Sequence, residues 1–480
     1  MADIRAKYPE YSTTAKLDQL RATQYSFLDE QHHVYLDYTG AGLAARIQRE
    51  AHKVRLDKAT YGNPHSENPT SRCATEAVAL ARKRVLSYLN ASEEEYQVIF
   101  TPNATGAAKL VGESYPFNQH SKLVLTCDNH NSLNGLREFA RRRGARTVYV
   151  PMDREDLRIR TTDVNKSLRR SKRWQLGQCA RKHRGLFVFP AQSNFTGVRH
   201  PLSWIELARD LGYDVLLDAA AYLPTSQLDL SKVHPDFVMI SWYKVFGFPT
   251  GVGCLVARRE ALRRLERPYF AGGTVQAATV GIPWHTLMPD EGAFEDGTPN
   301  YLFIPDVHFG LDWMSAVGVG LIATRVRCLT GWLIDRLLAL RHSNGQPMVT
   351  LYGPTDTESR GGTVAFNFLD ADGKIVDERL VAAEASAARI SLRTGCFCNP
   401  GVGEAAFGIE KLVLKKLSRT KADNYDDFIQ IVNLPSGGAI RVSFGIASTE
   451  RDVNYFIAFA TELYKDRVCN TKGLAPRLSC

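Results

Sequence analysis

The chain has 480 residues, with 60 basic and 51 acidic side chains for a net charge of +9, and 44% of its residues are hydrophobic. This is the composition of an ordinary globular protein with a sizeable core and more than one domain, and the moderate positive charge suits an anionic substrate or partner without defining one. Nine cysteines scattered without zinc-finger spacing exclude a disulfide scaffold and give no sign of a metal site. The start, Met1-Ala2-Asp3-Ile4-Arg5, has no apolar signal core, and the smoothest apolar run, 314–323, is too short to span a bilayer and reads as a buried helix. A cytoplasmic protein with no membrane role is expected.

Residues 1–32 are polar and helix-prone, an arm expected to pack with the small domain. From 33 to 294 short apolar strands alternate with helices. The strands are expected at 34–39, 96–100, 122–126, 147–150, 186–189, 215–217, 237–240 and 253–256, and helices at about 43–59, 75–89, from 107 and at 133–143. Such alternation predicts an α/β domain around a mainly parallel, seven-stranded sheet buried on both faces. A basic insert at 166–184, with Trp174 inside it, reads more readily as a solvated helix or loop than as a contact for an anionic partner. No aromatic platform or groove motif accompanies it, so nucleic-acid binding is not expected. From 295 to 480 the texture changes to long helices over 307–340, short strands at 349–351, 363–367 and 439–443, and helices at 377–388 and 451–464. This predicts a smaller α+β domain.

Nearly every polar residue with chemical potential lies just after a strand, where ligands sit in parallel sheets. The run Phe237-Val238-Met239-Ile240 delivers Lys244 into Ser241-Trp242-Tyr243-Lys244-Val245-Phe246-Gly247. A lysine under apolar cover loses its ammonium form and becomes a nucleophilic amine, as a Schiff-base cofactor requires. Lys244 is therefore read as the carrier of pyridoxal 5'-phosphate (PLP), with a surface lysine after a strand as the plain alternative. Asn103-Ala104-Thr105-Gly106 opens a helix whose N–H groups make an anion site, as many strand-to-helix turns do. Asp218 is either a helix cap or the partner of a protonated pyridine nitrogen. His130 is a loop histidine or a ring that stacks on the cofactor and shuttles a proton. Asn194 is placed to hydrogen-bond the cofactor's phenolic oxygen.

This order of features resembles the class V aminotransferase-like, fold-type-I PLP enzymes, the group that includes the cysteine desulfurases. Within it the chain is most similar to the N-terminal domain of the eukaryotic molybdenum cofactor sulfurases. The residues that carry the likeness include Tyr35-Leu36-Asp37, Tyr61-Gly62-Asn63-Pro64-His65-Ser66, Gln192-Ser193-Asn194-Phe195-Thr196-Gly197, Leu217-Asp218-Ala219-Ala220, Gly272-Gly273-Thr274, Arg393-Thr394-Gly395-Cys396-Phe397-Cys398-Asn399-Pro400-Gly401 and Arg441-Val442-Ser443-Phe444-Gly445. The resemblance implies that 33–294 is the PLP-binding domain. Lys244 would then form the Schiff base, Asp218 would meet the pyridine nitrogen and His130 would stack. Ala104, Thr105 and Ser241 would hold the phosphate, helped by Thr274 from a neighbouring subunit of a homodimer. Arg441 would bind the substrate carboxylate, and Asn194 and His65 would also contact the substrate.

Cys398 would take sulfur from L-cysteine as a persulfide, with release of alanine. A competent thiolate calls for a mobile, partly exposed, electropositive loop. The alternative for Cys396 and Cys398 is a buried structural pair. The final acceptor implied is the molybdenum cofactor or a sulfur-acceptor protein. Several positions depart from the pattern: Tyr38, Thr39 and Ala221 replace the usual neighbours, no cysteine stands near Gly403, and 408–427 is lysine-rich. A PLP-dependent lyase acting on a C–S bond or at a β- or γ-carbon, with Cys398 a bystander, is the second reading, and a cofactor- or partner-binding scaffold without turnover is the third.

Overall fold

A computed structural model describes residues 3–169, 184–417, 420, 422–471 and 473–477. Strand β1 (Val34–Tyr35) follows the N-terminal arm. The large sheet is built from β2 (Tyr96–Thr101), β3 (Lys122–Thr126), β4 (Arg146–Val150), β5 (Gly185–Pro190), β6 (Tyr213–Asp218), β7 (Phe237–Ser241) and β8 (Gly253–Arg258). All residues of β2, β5, β6 and β7 are buried, as continuous apolar runs require in a sheet covered on both faces. The strand order is β2-β8-β7-β6-β5-β3-β4. Strands β3 to β7 pair in parallel, and β8 runs antiparallel between β7 and β2. The seven-stranded, mainly parallel sheet read from the sequence is thus present.

The segments leaving the C-terminal ends of β3, β5, β6 and β7 emerge at one edge of the sheet. Because β8 is antiparallel, its first residue, Gly253, comes to the same edge. A Cβ on Gly253 would lie 2.6 Å from the Asn103 carbonyl carbon, so only glycine lets β8 pass beneath the turn that follows β2.

A hairpin of β9 (Val275–Thr279) and β10 (Trp284–Leu287) projects from the large domain. The second sheet is antiparallel, with β11 (Val349–Tyr352), β12 (Thr363–Phe368), β14 (Arg393–Gly395) and β15 (Ala439–Ser443) in the order β11-β12-β15-β14. The short β13 (Ile390–Ser391) pairs in parallel with β1 and ties the chain start to this sheet. The arm is packed rather than loose. Ile4, Tyr11 and Leu17 are buried, and the fully buried Arg325 guanidinium donates to Thr14 and to both Asp18 oxygens.

The helix Ile304–Val317 was grouped with the small domain by its position after residue 295. It packs instead on the large-domain side: Arg84 bonds Asp312 and Ser315, and Gly310 lies against the Phe246 ring. The apolar run 314–323 is not one helix. It straddles Gly318, whose φ of +96° separates Ile304–Val317 from Val319–Ala339. Among the described residues no single helix is long and apolar enough to cross a membrane, and these two bend by 68° at the break. The expected helix at 133–143 is divided into Asn131–Asn134 and Leu136–Arg142. Most of the basic insert, 170–183 with Trp174, lies outside the described residues.

Candidate active site

At the sheet edge lies a cavity of about 450 Å³ lined by residues from five strand ends, among them Ala104, Thr105, His130, Asn194, Asp218, Ser241 and Lys244. These seven, scattered over 140 positions, were each expected at the cofactor.

Lys244 sits in the one-turn helix Trp242–Phe246 directly after β7. Buried Trp242 stacks on Phe246 and anchors the turn from below. Gly247 ends it at φ +81°, where a Cβ would strike the Leu43–Ala44 backbone. Burial pushes the Lys244 ammonium below its ordinary range, opposed by the Asp218 charge. Its Nζ makes no hydrogen bond or ion pair among the described residues.

Asp218 ends β6. One carboxylate oxygen accepts from the Ala220 N–H at 2.8 Å, and the second has no hydrogen-bond partner among the described residues. Burial raises its pKa above the usual carboxylate range. One oxygen thus caps a turn rather than a helix, and the residue lines the cavity.

The turn after β2 opens the helix Ala104–Ser114, capped by Asn103 through the Gly106 N–H. The first N–H groups of a helix have no intrahelical acceptor. Ser241, buried in the cavity wall, offers a hydroxyl with no partner among the described residues. His130 caps the short helix Asn131–Asn134: its Nδ1 accepts from the Ser132 N–H at 3.1 Å and meets the Ser132 hydroxyl at 2.9 Å. That leaves the proton on Nε2. Burial first, then Lys244 and Arg441, lowers the His130 pKa to about 4, so the ring is neutral at physiological pH. Ser132 Oγ continues to Thr105 Oγ1 at 2.7 Å, joining histidine and anion cradle in one chain. Ser132 and Tyr243 line the cavity without having been singled out in the sequence. The spacing of Ser132 two residues after His130 was the available signal.

Other expectations need correction. Thr274 is fully buried, and its hydroxyl turns back on Ala271. It shapes the turn before the hairpin. His65 is exposed and lies against Gly273, away from the cavity of its own chain. Arg441 does not line the cavity. It is buried, with Nη2 on Asp37 at 2.9 Å, Nη1 on the Asn194 carbonyl at 2.9 Å and its plane over the Phe397 ring. Only Nε lacks a partner.

Cys398 is exposed and free, whereas Cys396 is buried and held in a disulfide. The two cysteines are thus not a buried structural pair. The loop is nonetheless not loosely tethered. Phe397 and Cys398 both adopt left-handed backbone, at φ +56° and +53°. The Asn131 N–H donates to the Cys398 carbonyl at 2.8 Å, and Asn194 Nδ2 donates to the Phe397 carbonyl at 2.9 Å.

An Aminotransferase class-V family model matches residues 34–456. The chain belongs to this family. It is 35% identical to the molybdenum cofactor sulfurase of Solanum lycopersicum, over 98% of this chain and 60% of that protein. It is also 35% identical to that of Homo sapiens, over 92% of this chain and 51% of that protein. The chain thus spans about half to three fifths of the length of these relatives. Among solved structures, a cysteine desulfurase from Thermococcus onnurineus NA1 superposes with a TM-score of 0.74 at 23% identity, covering 93% of this chain and 97% of that one. A cysteine desulfurase from Escherichia coli gives 0.71 at 20% identity, covering 93% and 99%. These likenesses agree with the fold described above.

The cavity fits PLP on its own chemistry. A buried carboxylate with an unpartnered oxygen calls for a cationic N–H, and a buried lysine without a partner, its ammonium form disfavoured, calls for a carbonyl carbon. The helix start with Thr105 and Ser241 calls for a multiply charged anion.

Proposed function

We propose that this class V enzyme binds PLP and removes sulfur from L-cysteine onto Cys398, releasing alanine, for delivery to the molybdenum cofactor or a related acceptor. The observation that carries the reading is the pairing, at one sheet edge, of the Lys244–Asp218–His130 cavity with a loop that presents one free, exposed thiol. The relatives named molybdenum cofactor sulfurase support the choice of acceptor.

Bound PLP supplies an electron sink for charge developing at the substrate α-carbon. Asp218 would hold the pyridine N–H, the Ala104–Thr105 turn and Ser241 would hold the phosphate, and neutral His130 would cover the ring without adding charge. The Lys244 amine takes the α-proton and returns one to the carbon skeleton. Cys398 Sγ bonds to the substrate sulfur as the carbon–sulfur bond breaks. The β-carbon takes a proton, and alanine leaves a persulfide behind.

A homodimer is part of this proposal. Val280, Ile282 and Trp284 on the projecting hairpin are 105%, 63% and 50% exposed, an apolar display that isolated subunits rarely carry. The test is alanine release from L-cysteine by the PLP-loaded protein beside Cys398→Ala. Alanine from the wild type alone upholds the proposal. Pyruvate and sulfide from both proteins would make it a lyase with Cys398 a bystander.

A further inference from the structure

Asn399 directly follows the acceptor thiol, and its side chain is fully buried. Its Nδ2 donates to the Asp128 carbonyl and to Asn194 Oδ1, both at 2.8 Å. Its N–H closes a turn on the Cys396 carbonyl at 3.0 Å. Asn194 in turn spends its Oδ1 on Asn399 and one Nδ2 hydrogen on the Phe397 carbonyl. The Asn131 N–H holds the Cys398 carbonyl. The loop is therefore fastened to two large-domain segments, 128–131 and 194. His130 lies inside the first, and Asn194 itself lines the cavity. Cys398, by contrast, is not among the residues that line it, and its side chain faces solvent.

An amide has one carbonyl and two N–H hydrogens. Asn194 has one Nδ2 hydrogen left to offer a group in the cavity, and an amide that turns inward to place it draws its oxygen off Asn399 and its other N–H off Phe397. Whatever draws the Asn194 amide inward removes a partner from Asn399 and from Phe397, and so loosens the loop that carries the thiol. Asn399 Oδ1 is already buried without a partner, so the latch holds no spare hydrogen bond to offset the loss.

We propose that Asn399 is a positioning residue whose amide latches the Cys398 loop in its outward position, and that the latch is coupled through Asn194 to occupancy of the PLP cavity. The proposal rests on the desulfurase reading for its purpose, since a thiol that must meet substrate and then acceptor needs two positions. Its geometry stands without that reading. The latch is the two-state element, and the cavity ligand biases it.

The experiment is amide hydrogen exchange on the full chain over segments 128–134 and 393–400, with and without pyridoxal 5'-phosphate, in wild type, Asn399→Ala and Asn399→Asp. In the wild type the cofactor is expected to change exchange in 393–400 by at least about fivefold. In Asn399→Ala the cofactor-free segment is expected to exchange about tenfold faster, the worth of one buried hydrogen bond, and to lose its response to the cofactor. PLP affinity should stay within about twofold, since Asn399 does not line the cavity. Asn399→Asp keeps the shape but removes the donor, and is expected to behave as the alanine variant does. An unresponsive wild-type loop, or variants that respond like wild type, overturns the latch, and the wild-type arm decides even where a variant fails to fold. Alanine release is read on the same samples. Alanine without an exchange response rejects the latch alone, and an exchange response without alanine rejects the desulfurase reading alone.

Discussion

Arg441 Nη2 lies 2.9 Å from Asp37 Oδ1 across 404 positions of chain, and both residues are buried. Asp37 also takes the exposed Arg393 guanidinium on its other oxygen. The buried Arg441 guanidinium is thus held with its counter-charge already in place. Burial lowers the Arg441 pKa, and Asp37 opposes that shift. Removing Asp37 leaves a buried cation without compensation. Asp37→Ala is expected to lose about 3–5 kcal/mol in urea unfolding, whereas Arg393→Ala, at a half-exposed site, loses under about 1 kcal/mol. Equal losses would show that the Arg441 pair is not the one that matters.

Asp218→Asn separates stability from activity. Burial raises the Asp218 pKa, so the folded state holds the proton more tightly than the unfolded chain. Stability therefore falls as pH rises from the ordinary carboxylate pKa through the raised one. The cofactor-free Asp218→Asn variant is expected to be more stable than wild type at pH 7 and equal to it below the ordinary carboxylate range. Its activity should drop roughly 10²–10³-fold, because the pyridine nitrogen loses its anion. Thermal unfolding against pH, beside alanine release, reads both effects.

His130 carries the opposite pH signature in the acid range. Its pKa is lowered to about 4 from an ordinary 6.5, so between these values the unfolded state binds the proton and the folded state does not. The stability of the cofactor-free protein is expected to fall as pH drops from 6.5 to about 4. His130→Asn should flatten that limb. An unchanged limb in the variant would place the titrating group elsewhere.

Lys244→Ala is expected to reduce alanine release by roughly 10²–10⁴-fold, the range for a positioned acid–base group, and to abolish the borohydride-reducible link to PLP. Retention of that link would assign the Schiff base to another lysine.

Trp284→Glu puts a charge on the exposed face of the hairpin. Sedimentation is expected to show a shift from dimer to monomer, with the monomer's fold intact by circular dichroism. A dimer that survives the change would move the interface away from β9 and β10.

The strand ends and the residues just beyond them were legible because their signals are local. An apolar run, a turn of small residues and one polar side chain place Lys244, Asp218 and the Asn103–Gly106 turn without reference to the rest of the chain. Seven strands in alternation with helices sufficed for the parallel sheet, and a parallel sheet puts such residues at a common edge. The partners of those residues were not legible. Asn399 meets Asn194 over 205 positions and Arg441 meets Asp37 over 404. A side-chain hydrogen bond of that range leaves no period or spacing in the sequence. The same holds for the Cys398 loop, expected to be mobile but held by groups brought from other segments. Local pattern determined which residues reach the sheet edge. Long-range packing alone decided which of them remain free to act there, because each buried donor or acceptor takes whatever partner the folded chain presents.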